Sequence, residues 1–205
     1  MFENKEPVFA QFFGSPAIIR DMTERWFISD THFFHEKLLN FEKEDGHKCR
    51  SQFSSVEEMN EIMIERWNAR VKPGDRVRHL GDVILGLKGD EWDTKGDRLL
   101  SRLNGRKDLI LGNHDNPKRK VLQNHFRRID YWKTYRRKEK EWALCLTHVP
   151  HRLDQIRKTD INIHGHIHEK VMEEHNYICV CVEQTNYAPV HLDEILTLCR
   201  QRNLI

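Results

Sequence analysis

No stretch of the 205-residue chain approaches the ~18 consecutive apolar residues that a membrane-spanning helix needs, which predicts a soluble protein with no membrane partner. Charge of one sign is also in short supply. The 34 Lys+Arg stand against 32 Asp+Glu, so the molecule as a whole exerts no strong pull on nucleic acid or lipid, and any such attraction has to be local. Cysteine is sparse and unpatterned. Cys49, Cys145, Cys179, Cys181 and Cys199 form no Cys-x-x-Cys pair and no even framework, which argues against a disulfide scaffold and predicts a reduced, cytoplasmic setting. Residues 1–21 lack the positive start of a signal peptide, carrying Glu3 and Glu6 instead, and Gln11, Gly14 and Pro16 interrupt their apolar character. They read as an N-terminal extension, with Met22 as an alternative start. What the chain has in excess is histidine, 13 residues, and imidazole is both the commonest metal ligand and a frequent catalytic base.

The length suits one domain over residues 1–205, with no repeat or low-complexity stretch. Trp26 to Ser29 reads as a strand ending in Asp30. Val56, Met59, Ile62, Met63 and Trp67 recur with helical spacing behind Ser55 and Glu58, a capping-box pair. Pro73-Gly74-Asp75 turns into a strand over Val77 to Leu80 that ends in Gly81-Asp82. A weaker helix through Trp92, Leu99, Leu100 and Leu103 precedes a strand from Asp108 to Leu111 and the run Gly112-Asn113-His114-Asp115. Asn116-Pro117 is expected to cap and start another helix. Tyr131–Tyr135 and Trp142–Leu146 read as antiparallel strands, and Ile161–Ile163 and Tyr177–Val182 as further strands. Leu192, Ile195, Leu196 and Cys199 mark a final helix. This order predicts an α/β fold of two stacked mixed sheets flanked by helices, with polar clusters gathered at strand ends.

Those clusters carry the chemistry. Asp30-Thr31-His32 sets a carboxylate and an imidazole two residues apart, so in extended backbone both leave the same face. Alone, the pair serves local backbone satisfaction as readily as a metal ion. His166 and His168 repeat the spacing around Ile167, after Gly165, where a side chain is absent and the backbone can pass close to an ion. Asp82 has two oxygens and can bridge two ions. Asn113 offers a neutral oxygen, which keeps such a site positive: two divalent ions less two aspartates and one hydroxide leave about +1, a charge that attracts a phosphate ester.

In order and content these clusters resemble the calcineurin-like metallophosphoesterase family, whose motifs are Asp-x-His, Gly-Asp, Gly-Asn-His-Asp/Glu, a lone His and Gly-His-x-His. All five are present in order between residues 30 and 168. The resemblance, strongest to small bacterial and phage members, implies one metal held by Asp30, His32, Asp82 and His168 and a second by Asp82, Asn113, His148 and His166. Manganese is favoured, with Fe, Zn, Co or Ni also suited to these ligands. It further implies a metal-bridging hydroxide as nucleophile and His114 as the non-ligand catalytic histidine. Asp115 then either orients His114 or braces the loop. The protein-phosphatase branch continues its Gly-Asp motif with a second Asp and an Arg. Here the continuation is Val83-Ile84-Leu85-Gly86-Leu87, so a phosphoprotein substrate is disfavoured.

A phosphodiester is the expected substrate, with a nucleotide or nucleic acid favoured. A small phosphomonoester, or a non-catalytic protein-binding scaffold, is the alternative. His35, His151, Lys118 and Arg119 lie beside the motifs as candidate substrate contacts, although the histidines fit equally well as supports for the ligands, which is the reading preferred for His164. Between residues 118 and 140, ten basic residues face only Asp130 and Glu139, and Tyr131, Trp132 and Tyr135 interleave with them. That pattern suits nucleic-acid contact through phosphates and stacked bases, while a solvated hairpin face with its aromatics in the core explains it more simply. The Cys179-x-Cys181 alternation is read as packing.

Overall fold

The computed structural model describes residues 25–41, 46, 48–136, 140–157 and 160–205. The proposed extension, Met22 and residues 137–139 of the basic segment lie outside the described residues. A five-stranded sheet has the order β4-β3-β2-β1-β9, built from β1 (Arg25–Ile28), β2 (Arg76–His79), β3 (Arg106–Ile110), β4 (Phe126–Asp130) and β9 (Val190–His191). Its first four strands are parallel, and β9 runs antiparallel to β1. A four-stranded sheet, order β5-β6-β7-β8, comprises β5 (Lys133–Arg136), β6 (Ala143–Leu146), β7 (Ile161–His164) and β8 (Tyr177–Cys179). Only β5 in it is antiparallel to its neighbour. The expected pair of mixed sheets with flanking helices is the observed architecture.

Strand alternation divides the core in two. Ile28, Val77 and Leu109 leave one face of the larger sheet and pack with Met59, Met63 and Trp67 of α1 (Val56–Arg70), Leu99 and Leu100 of α2 (Asp97–Ser101), and Val121 and Leu122 of α3 (Lys120–His125). Phe27, Leu80 and Ile110 leave the other face and meet Leu144, Leu146, Ile161 and Ile163 of the smaller sheet, together with Ile195 and Leu196 of α4 (Leu192–Gln201). Among the described residues no helix is long and apolar enough to cross a membrane. All five cysteines are free and buried.

Several local expectations are corrected. The capping box of α1 is split: Ser55 Oγ accepts from Glu58 N, but the Glu58 carboxylate turns to Ser54 instead of closing on Ser55. Asn116-Pro117 does not open a helix. The Asn116 side chain closes a turn on Lys118 N, and α3 starts at Lys120. The weaker helix expected from Trp92 is present, but its first part is a π-helical segment, Trp92–Gly96, that runs directly into the short α2. The strand β4 was not expected, because its Arg127 and Arg128 interrupt an apolar pattern; it is an edge strand, where exposed charge is tolerated.

The two sheets are joined where their strands end. Beyond β1, Ser29 pairs in parallel with Cys181 beyond β8, with Ser29 N donating to Val180 O and Val182 N donating to Ser29 O. Immediately beyond this seam, residues 30–33 run beside residues 81–85. Asp30 N donates to Gly81 O, His32 N to Asp82 O, Phe33 N to Val83 O and Leu85 N to Phe33 O. The apolar continuation Val83-Ile84 is therefore buried pairing partner to the Asp-x-His segment.

Candidate metal centre

The polar cluster sits on this seam, at the C-terminal ends of the parallel strands. Five of the seven expected ligands have left-handed backbone: Asp30 (φ 57°), His32 (47°), Asp82 (57°), His166 (73°) and His168 (52°). Side chains other than glycine rarely adopt that region, and strain of this kind concentrates at functional sites. It also corrects the expectation that pleated strand geometry aligns Asp30 with His32 and His166 with His168. Left-handed residues past the strand ends set Asp30 and His32 3.6 Å apart instead, and send His168 toward Asp30 and the His166 ring toward His148.

Within the cluster, Asp30, His32 and His168 present ligand atoms within 4.8 Å of one another, as do Asp30, Asp82 and His148. Asp30 belongs to both groups, and Asp82 Oδ2 lies 3.5 Å from His32 Nε2 and 3.4 Å from His148 Nε2. Asn113 Oδ1 is 2.8 Å from His148 Nε2. His166 is more peripheral: its main-chain N donates to Asp30 Oδ2, and its ring lies edge-on to His148 at 5.1 Å.

Two observations test whether this arrangement suits a cation. Asp30 Oδ1 and His32 Nε2 are buried, 3.6 Å apart, and make no hydrogen bond, although Asp30 Oδ2 is satisfied by His166 N and the Cys181 thiol. Leaving buried carboxylate and imidazole atoms unpaired is costly, and an ion between them removes the cost. Second, the imidazoles are oriented from behind. His148 Nδ1 faces Leu80 O at 2.7 Å and His168 Nδ1 faces Glu183 Oε1 at 2.9 Å, which turns both Nε2 atoms toward the carboxylates. The cluster fits divalent metal.

Its electrostatics are those of carboxylates held charged. Burial opposes the Asp30 charge, but His32, His148 and His168 outweigh burial and hold its carboxyl well below the usual range. Burial likewise opposes protonation of His148 and His168, yet Asp82 with Asp30, and Glu183, raise the two imidazoles respectively.

The residues behind the ligands are the part sequence reasoning missed. Arg50, fully enclosed, donates to Asp30 O at 2.6 Å, to Thr31 O at 2.8 Å and to Glu183 Oε1 at 2.8 Å. It fixes the backbone of the Asp-x-His loop and the carboxylate that orients His168. His79 completes a second brace. Gly81 N donates to His79 Nδ1, so Nε2 carries the proton toward Thr31 Oγ1, which in turn donates to Val83 O. Cys181, read as packing, donates its thiol to Asp30, and Cys179 to His168 O. The CxC spacing was the only available signal for these contacts.

The remaining candidates separate. His114 is half-exposed at the mouth, Nε2 4.0 Å from Asp82 Oδ2, its ring 5.7 Å from that of His32. Asp115 does not orient His114. It accepts from Asp82 N, Val83 N and Gly112 N, bracing two loops, which favours the second of its two expected roles. His35 packs beside His32, with ring centroids 5.5 Å apart. His151 stacks on Trp132. Arg119 lies over the Trp92 ring and Lys118 is exposed, so neither is drawn into the cluster. His164 turns its Nδ1 to Gly165 O and its ring against Tyr177, so it supports the backbone and orients no ligand.

Two glycines are dictated by this packing. A Cβ on Gly165 would collide with Ser29 Oγ and Asp30 Oδ2, and one on Gly112 with the Asp82 carboxylate.

No family model matches the chain. The uncharacterized protein MJ1445 of Methanocaldococcus jannaschii is 34% identical over 191 residues, spanning 90% of this chain and 96% of its own length. The chain belongs to the same family as MJ1445. The gene 66 protein of Mycobacterium phage D29 is 30% identical over 174 residues, covering 74% of this chain and 81% of that protein. AQ665, a protein of unknown function from Aquifex aeolicus, has a solved structure that superposes with a TM-score of 0.65 at 27% identity, covering 85% of this chain and 98% of that one. At 17% identity and a TM-score of 0.41, likeness to YfcE, a phosphoesterase from E. coli, is too slight to argue from. The family shared with MJ1445 thus extends from an archaeon to a phage.

Proposed function

We propose that this protein is a metal-dependent phosphoric ester hydrolase acting on phosphodiesters, with a nucleotide or nucleic acid as the favoured substrate and a phosphomonoester second. The observation that carries the proposal is the unpaired Asp30 Oδ1 facing His32 Nε2, with Asp82 set between His32 and His148. One divalent ion would be held by Asp30, His32, Asp82 and His168, and a second by Asp82, Asn113, His148 and His166. Manganese is favoured, and Fe, Zn, Co or Ni suit the same donors. Such ions supply Lewis acidity, lowering the pKa of water and polarising phosphoryl oxygens.

The chain's own residues supply the rest. Asn113, being neutral, leaves the centre with net positive charge for an anionic ester, and the buried Glu183 and Arg50 add one charge of each sign and preserve that balance. His114, at the mouth, can donate its Nε2 proton to the departing ester oxygen. A protein-binding scaffold that had abandoned catalysis would have no need of so complete a donor set.

The test is hydrolysis of bis(p-nitrophenyl) phosphate and p-nitrophenyl phosphate by protein reconstituted with each metal, alongside measured metal content. Turnover that appears with metal and disappears with chelator is expected. No turnover with any of the five metals would remove the enzyme reading. His114→Ala is expected to lower kcat about 100-fold or more with metal content unchanged; wild-type turnover would sink its role.

A further inference from the structure

An open groove of about 470 Å³ leads away from the Asn113 and His148 side of the cluster, between the loops that follow β3 and β6. Its other walls include Tyr131, Pro117, Val149 and Pro150, with Thr147 and His151 contributing polar atoms. Among the described residues five large hydrophobic side chains are exposed, and two of them, Tyr131 at 77% and Val149 at 48%, line this groove. A third, Trp132 at 58%, is next in sequence to Tyr131 and stacks nearly parallel on the groove residue His151, with centroids 6.0 Å apart and planes at 13°. His151 is itself fixed through its backbone, N donating to Asn162 Oδ1 and O accepting from the Tyr177 hydroxyl. Exposed aromatics beside a candidate phosphate site, one of them held by stacking on His151, resemble the platforms on which bases stack.

The groove's position limits its occupant. Because Asn113 and His148 belong both to its lining and to the cluster, a group lying in it would be a substituent on the phosphorus bound at the cluster. The walls ask for a flat group with an apolar face, and Asn113, Thr147 and His151 for one with hydrogen-bonding edges. A heterocyclic base meets both requirements; an acyl chain is apolar but neither flat nor edged with hydrogen-bonding groups.

We propose that the Tyr131 groove is a nucleobase subsite, which receives the base of a nucleoside whose phosphodiester lies at the metal-ligand cluster. This deepens the phosphoesterase reading and rests on it for the identity of the neighbouring group. The base stacks against Tyr131, while the Trp132–His151 pair keeps the adjoining wall rigid.

Two measurements test it. In the first, kcat/KM of the metal-loaded protein is compared for thymidine 5′-(p-nitrophenyl) phosphate and methyl p-nitrophenyl phosphate. The wild type is expected to prefer the nucleoside ester, and Tyr131→Ala to reduce that preference about tenfold, while Tyr131→Phe retains it. A preference unaltered in Tyr131→Ala overturns the subsite while leaving phosphoesterase activity standing. In the second, thymidine 5′-monophosphate binding is followed by calorimetry on metal-loaded protein, where Tyr131→Ala is expected to raise Kd about tenfold. An unchanged Kd, or no binding by the wild type, overturns the subsite even if neither ester is hydrolysed. Binding lost in Tyr131→Ala without hydrolysis of either ester would instead uphold the subsite and remove the phosphodiesterase reading. A four-residue oligothymidylate that competes better than the mononucleotide identifies a strand as the source of the base. Equal competition identifies a free nucleotide, and failure of both to compete for the site counts against the proposal.

Discussion

Arg50 touches none of the atoms that would meet a substrate, yet its removal would free Asp30 O, Thr31 O and Glu183 together. Glu183 in turn orients His168. Glu183→Gln keeps the size of the side chain and loses its charge, so its effect isolates orientation and basicity from packing. It is expected to weaken metal affinity about 10- to 100-fold, read by competition with a chromogenic chelator, with the fold intact by circular dichroism. Unaltered affinity would show that Glu183 serves Arg50 alone. The contrast with the ligands explains what could be read in advance. Asp30, His32, Asp82, Asn113, His148, His166 and His168 occur in short, ordered clusters that the sequence displays directly. Arg50 and Glu183 are separated by 133 positions, so only the fold brings their guanidinium and carboxylate together.

Elements place these residues through close approach of their ends. Since any side chain at position 165 meets Ser29 and Asp30, Gly165→Ala is expected to destabilise the fold by about 1–3 kcal/mol, read by urea denaturation, and to weaken metal binding by displacing Asp30. Affinity equal to wild type would mean that the β7 end yields without moving the ligand. At the opposite end of the larger sheet, burial pushes the Lys107 ammonium down to about 8. A depressed lysine opposes folding while it must be charged. That cost is full below about pH 8 and disappears as pH rises through the unfolded value near 10.4. Stability of the wild type should therefore rise between these limits relative to Lys107→Met, measured by denaturation at several pH values; parallel curves would contradict the assignment. The helix α1 was readable because its apolar spacing is regular over fifteen residues. The edge strand β4 was not, because edge strands need little apolar alternation, and the start of α3 was misplaced because Asn116 can close a turn as well as cap a helix.

At the scale of the molecule, the basic segment is less available than its composition suggested. Arg127 is engaged with Asp108, Arg136 with Asp160 and Arg119 with Trp92, which leaves Lys118, Lys120, Arg128, Lys133 and Lys140 among its described cations. If all five met phosphates of a single strand, the log–log salt slope of oligonucleotide binding would be about −3.5. A shallower slope than that is expected from fluorescence anisotropy at increasing salt, and a steeper one would reveal cations elsewhere. The arrangement into two mixed sheets was legible from the order of strands and helices.

The suture between those sheets also dictates when the centre can come into being. Asp30 is made early and acquires its surroundings only when Ser29 pairs with Cys181, some 150 positions later in synthesis. A nascent chain halted before that point would display the Asp-x-His and Gly-Asp clusters with no Cys181 or Glu183 to complete their setting. The setting of Asp30 and His168 is therefore a property only of chains in which residues 181–183 have been made and paired.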